Sequence, residues 1–306
     1  MIAHQLALVR REVWEHRSIW VTPAAVALVV TLLTIASFVA ASGFGEAKDM
    51  AIILASNVSD TERRAALIAF LIGNTIVFLM AMWFLMIFYS LDALNAERKD
   101  KSILFWRSLP ITDAETVVSK LITAMILIPL VTFVAVAVSQ LVNLILMSIW
   151  ISIEGGSPGH LIWGSLPLFD TWLATLIVLM AIPFWISPLL GWFLFVSAWT
   201  KRSPFLTAFL PIAVLPILEY VVFRTSMLGD AIVNRFSMKT MPLFDLDVFR
   251  FFDDHKFRTA VEEGVSLLKL LDPAKFVVSL DLWLGLVVCG LFVTAAIYVR
   301  RYQDDS

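Results

Sequence analysis

The chain has 306 residues, 60% hydrophobic and only 16% charged, against roughly 45–50% and about 25% in an ordinary soluble domain. That much apolar surface exceeds what one soluble core hides, so lipid is the expected solvent for most side chains. A net charge of −2 offers no basic field for nucleic acid, and the single cysteine, Cys289, excludes an intrachain disulfide or a cysteine zinc site.

In chain order, Leu6, Val9, Val13 and Trp14 recur at helical spacing, with Arg10, Arg11, Glu12, Glu15 and Arg17 as the charged remainder. This pattern predicts an amphipathic helix lying at the membrane interface. Six apolar runs follow, over 19–41, 65–91, 121–153, 171–199, 205–223 and 282–299. None contains Lys, Arg or Asp, and Glu219 is the one Glu among them. Each is near or above the roughly 20 residues a helix needs to cross a bilayer. The first run, at 23 residues, outlasts the roughly 7–15 of a secretory signal core, so it is expected to be a retained helix. Pro129, Pro183, Pro188, Pro211 and Pro216 each remove a backbone donor, and packed kinks are expected there.

Orientation follows from Lys and Arg in the short connections. Arg10, Arg11, Arg17, then Arg98 to Lys120, then Lys201 and Arg202, then Arg300 and Arg301 fall on one side. That distribution places both termini in the cytoplasm. The expected fold is an all-α integral membrane protein: one permease-like domain over 1–306 with six transmembrane helices. Its enlarged outer segment, 224–281, holds 58 residues. Within it Met238, Met241, Phe244, Phe249, Phe251 and Phe252 precede Val261, Val265, Leu268 and Leu271, whose helical spacing ends at Asp272-Pro273. A cap over an exit path or a docking surface would suit such a segment.

Several chemistries are missing. There is no phosphate-cradling Gly-x-x-x-x-Gly-Lys-Ser/Thr, no His-Glu-x-x-His and no Gly-x-Ser-x-Gly, so no catalytic motif or metal site is expected. His4, His16, His160 and His255 are scattered, and the Asp253-Asp254-His255 run reads as solvated loop. Mid-membrane stretches offer only Asn74, Gln140, Asn143 and hydroxyls. Proton- or sodium-coupled carriers keep charged groups there, so ion coupling is disfavoured and the energy source is expected outside this chain.

The connection between spans two and three carries the sharpest signal. Glu97-Arg98-Lys99-Asp100-Lys101-Ser102 is dense in charge, Ile103-Leu104-Phe105-Trp106-Arg107-Ser108-Leu109 is apolar and aromatic, and Pro110 stops it. Thr112 or Asp113 can then cap a helix with Glu115 in its first turn, running through Lys120 into span three. A short aromatic-tipped helix of this kind suits docking into a partner's groove.

At these residues the chain resembles the ABC-2 type permeases, the membrane subunits of a class of ABC transporters. The resemblance is specific over about thirty residues, with the six-span layout and the N-terminal interface helix agreeing. It implies that this connection is a coupling helix seated on a separate ATPase subunit, with Glu97, Arg98, Lys101, Phe105, Trp106 and Arg107 at the contact. It also implies two ATPase copies holding ATP and magnesium, and a second permease copy as a homodimer. Export of a hydrophobic or amphipathic substrate across a bacterial inner membrane follows from the same likeness. Spans two and five face the dimer partner in that family, which extends to a substrate path near Asn74 and Glu219. Two alternatives stay open: a facilitative or ion-coupled transporter working without an ATPase, and a membrane anchor or assembly protein binding a partner through the outer segment.

Overall fold

The computed structural model describes residues 2–43, 59–99, 111–164, 166–201, 203–237, 240–244 and 266–302. Helix α1, Ile2–Glu15, turns at His16 and Arg17 into α2, Ser18–Gly43. The turn is held where His16 N donates to Glu12 O at 2.9 Å and Ile19 N to His16 O at 3.0 Å. Helix α3, Asp60–Asp92, opens with a reciprocal cap: the Ser59 hydroxyl accepts from Glu62 N, and the Glu62 carboxylate accepts from Ser59 N. Past Ala93 the chain forms α4, Asn95–Lys99. Both Leu94 N and Asn95 N donate to Ser197 Oγ at 3.1 Å, which ties this corner to a distant helix.

Helix α5, Asp113–Ile122, starts at Thr112 with the cap the sequence predicts. Glu115 N donates to Thr112 Oγ1 at 3.2 Å and Thr112 N to Glu115 Oε2 at 2.9 Å. It runs without a stop through a π-helical turn, Thr123–Leu127, into α6, Ile128–Ile153. Pro129 explains the turn: its ring crowds the carbonyl one turn earlier and it cannot donate, so the preceding ladder slips by one residue.

The fourth apolar run departs from expectation. A single kinked span over 171–199 is expected, but the helix breaks at Ile186 into α7, Leu168–Trp185, and α8, Ser187–Trp199. Pro188 sits in the first turn of α8, where a missing N–H costs nothing. The Trp185 carbonyl beside the break accepts instead from Arg235 Nη1 at 3.1 Å, and that guanidinium lies 4.1 Å over the Trp185 ring. Helix α9, Pro204–Phe223, keeps Pro211 and Pro216 inside it and ends at Arg224 in left-handed backbone, φ 54°.

Arg235 belongs to α10, Met227–Ser237. Beyond it, Phe244 pairs with Leu271 in an isolated antiparallel bridge. This corrects the expected helical stretch ending at Asp272-Pro273. Leu268 lies in a 3-10 turn, Leu267–Leu270, and Leu271 is extended. Asp272 then begins a helix: its carboxylate accepts from Lys275 N at 2.8 Å, and Pro273 is the first residue of α11, Pro273–Val278. Met241 is buried in the main core, whereas Met238, Phe249, Phe251, Phe252, Val261 and Val265 lie outside the described residues. The last helix, α12, is Leu280–Tyr302.

Six stretches are long and apolar enough to cross a membrane: Ser18–Ala40, Asp60–Lys99, Asp113–Ile153, Leu168–Trp185, Pro204–Phe223 and Leu280–Tyr302. The protein is a helical multi-pass membrane protein, with α3's apolar part ending at Leu91 ahead of α4. Trp185, Phe193, Leu190, Met82 and Met86 centre the main core. Helices α8 and α12 form its tightest pair, because Gly191 lets the backbones close. A Cβ there would lie 3.0 Å from both Cα and O of Cys289. Helices α2 and α9 have few fully buried residues, Ala208 being the buried residue of α9. Such apolar faces are stable against lipid, not water.

Candidate functional site

One end of the bundle gathers α1, α4, α5 and the last turn of α12 around buried charges. Glu12 is fully buried, on a helix turn that amphipathic spacing assigns to the charged side, while Trp14 from the apolar set is 73% exposed. The structure thus turns α1 so that Leu8 and Glu12 face the protein. Lys120, also fully buried, donates to both Glu12 oxygens at 3.0 and 3.2 Å and approaches Glu97 Oε1 at 3.0 Å. Arg300 Nη1 donates to Glu97 Oε2 at 2.7 Å, and its Nε to Asp113 Oδ1 at 2.9 Å. Arg11 links Glu97 Oε1, at 2.9 Å, to Glu15. The Tyr89 hydroxyl donates to Glu12 Oε2 at 2.8 Å, and His16 stands edge-on to the Tyr89 ring at 5.0 Å.

Glu12 and Glu97 are thus balanced by Lys120 and Arg300. Buried ions are tolerated only when paired and hydrogen-bonded this fully. Burial alone would raise the Glu97 carboxyl, but Lys120 and Arg300 outweigh it and hold it at about 2. Burial lowers the His16 imidazole against the pull of Glu12. Glu12, Glu15 and His16 bring one ligand atom each within 4.8 Å. Glu12 is already committed to Lys120 and Tyr89, however, so the trio is part of the ionic cluster rather than a metal centre. Among the described residues the cluster contains no activated nucleophile. It is a buried network of ion pairs and hydrogen bonds.

What it joins is the connection between spans two and three. Glu97 precedes residues 100–110 and Asp113 follows them, and Arg300 holds both. Arg98 Nη2 donates to the Ser197 carbonyl and, at 2.9 Å, to that of Thr200, at the C-terminal end of α8. Of the six residues that the resemblance assigns to a partner contact, Glu97 is therefore only 5% exposed and turned inward. Arg98 is half-buried on α8, and Lys101, Phe105, Trp106 and Arg107 lie outside the described residues. Sequence reasoning missed Arg11, Glu12, Lys120 and Arg300 as one unit. Their signal was faint: charges at the edges of apolar runs, which the positive-inside pattern explains without pairing.

The two expected path residues are far apart in character. Asn74 is 5% exposed, and neither atom of its amide has a partner among the described residues. Its neighbours are better served. Gln140 Nε2 donates to the Leu71 carbonyl at 3.0 Å and to Thr75 Oγ1 at 3.1 Å, while Trp172 Nε1 donates to Gln140 Oε1 at 2.9 Å. Glu219 is exposed near the opposite end, where it accepts from Thr225 Oγ1 and Leu228 N at 2.8 Å and so links α9 to α10. Comparison with known proteins returns no likeness: no family model, curated protein or solved structure matches the chain.

Proposed function

We propose that this chain is the membrane-spanning permease subunit of an ATP-driven transporter, energised by a separate ATPase that docks on residues 101–107. The observation that carries this reading is Arg300 gripping Glu97 and Asp113, at the two ends of the 98–112 connection. A force applied to that connection passes directly into α1, α5, α8 and α12. An anchor protein has no need of such a joint, and a carrier with its own ion site would keep mid-membrane charge.

In this reading Glu97 and Arg98 anchor the connection from within, while Lys101, Phe105, Trp106 and Arg107 meet the ATPase. The Lys and Arg distribution puts the joint and both termini in the cytoplasm. Two permease copies pair as a homodimer over two ATPases, which hold ATP and magnesium. The apolar, uncharged spans suit export of a lipid-like or amphipathic substrate.

Affinity purification tests this. The wild-type chain is expected to retain a Walker-motif ATPase, and Phe105→Ala with Trp106→Ala to lose it. An ATPase retained by the double variant would overturn the docking assignment.

A further inference from the structure

At the charged end, a groove of about 670 Å3 runs between the start of α2, the end of α3 with α4, and the start of α9. Its size falls within the roughly 300–1,000 Å3 of small-molecule sites. Its wall changes character along the chain. Phe84 and Phe88 of α3 line the inner part, with Phe205 of α9 stacked on Phe88 at 6.1 Å. Beyond them come Asp92, Asn95 and Lys99. The change coincides with the end of the apolar stretch at Leu91, which is where hydrocarbon gives way to headgroups.

Two opposite charges stand unpaired at this polar end. Asp92 is exposed; it acts electrostatically on His16, which lines the same groove, but makes no hydrogen bond or close ion pair among the described residues. Lys99 has no carboxylate partner among them. It is steadied by Asn95 once that amide is turned: its oxygen then accepts from Nζ at 3.1 Å and its nitrogen donates to the Thr200 carbonyl at 3.2 Å. Asp92 and Lys99 border one groove without meeting each other.

We propose that the groove holds a phospholipid with a zwitterionic headgroup bearing a primary ammonium. Its phosphate sits on Lys99, its ammonium on Asp92, and its acyl chains lie along Phe84, Phe88 and Phe205. A headgroup of this class completes both charges with charge-assisted hydrogen bonds. A choline headgroup has no N–H to donate, and a glycerol headgroup brings no cation. The site goes beyond the transport reading and needs no ATPase, so it stands or falls separately.

The experiment is native mass spectrometry of the purified full chain, equilibrated with equimolar dioleoyl phosphatidylethanolamine, phosphatidylcholine and phosphatidylglycerol and then delipidated stepwise. One phosphatidylethanolamine per chain is expected to persist, preferred by about fivefold or more over each rival. Asp92→Asn should erase the preference over phosphatidylglycerol. Lys99→Gln should weaken all three lipids alike, and Phe88→Ala should shorten retention. Asp92 and Lys99 are exposed, so an unchanged melting temperature is expected in both charge variants. Equal retention of the three lipids by wild type, or an unchanged preference in Asp92→Asn, would overturn the proposal. So would efficient disulfide cross-linking of two copies through Phe205→Cys with no lipid retained.

Discussion

Lys120 holds two carboxylates at once, so removing it leaves the buried Glu12 with the Tyr89 hydroxyl but without its lysine, while Glu97 keeps Arg11 and Arg300. Lys120→Met is expected to cost about 3–5 kcal/mol, read as a lower denaturation midpoint in detergent, with Glu12→Gln in the same chain restoring part of it. The cluster also sets a pH dependence. Glu97 ionises at about 2 when folded against an ordinary 4.5, so its contribution is complete above 4.5 and lost as pH falls toward 2. His16 is lowered from 6.5, so below 6.5 the unfolded chain takes up a proton that the folded chain resists, and stability again falls with pH. The melting temperature should therefore decline on acidification from below about pH 6.5, and His16→Gln should flatten the upper part of that decline. Asn74 makes the opposite case. Its buried amide is unsatisfied, so Asn74→Leu should leave the melting temperature unchanged or higher. A loss of transport in that stable variant would mark Asn74 as a path residue.

At the scale of elements, the α8 and α12 contact depends on Gly191. The atoms a new Cβ would meet are mostly backbone and cannot swing aside, so Gly191→Ala should destabilise by about 1–3 kcal/mol, measured by thermal unfolding. Local signals were legible where the partners are near in sequence. The Thr112 cap needs only Glu115, three residues on, and the sequence shows it. The break at Ile186 was hidden, because the group that satisfies the Trp185 carbonyl is Arg235, 50 residues later. The same blindness made Leu268 and Leu271 look helical. Leu271 is claimed by Phe244, and Leu267 N by Asp170 Oδ2 at 2.9 Å, 97 residues away.

For the whole molecule, the proposed energy route predicts that transport by reconstituted complex stops when ATP is withdrawn and persists when an ionophore collapses the ion gradients. The converse would favour an ion-coupled carrier. Arg300→Met should uncouple ATP hydrolysis from transport while the ATPase still binds, since it cuts the link behind the docking residues and not the docking residues themselves.

The sequence by itself determined that this is a membrane protein with six apolar spans, though not that the fourth ends at Trp185. Partition into lipid is a local property, close to additive over about 20 consecutive residues. Only the tertiary structure decided which charges are internal. Glu12 meets Lys120 across 108 positions and Glu97 meets Arg300 across 203. A charge at the edge of an apolar run looks the same in sequence whether it faces headgroups or a buried counter-ion, and only the folded distance tells them apart.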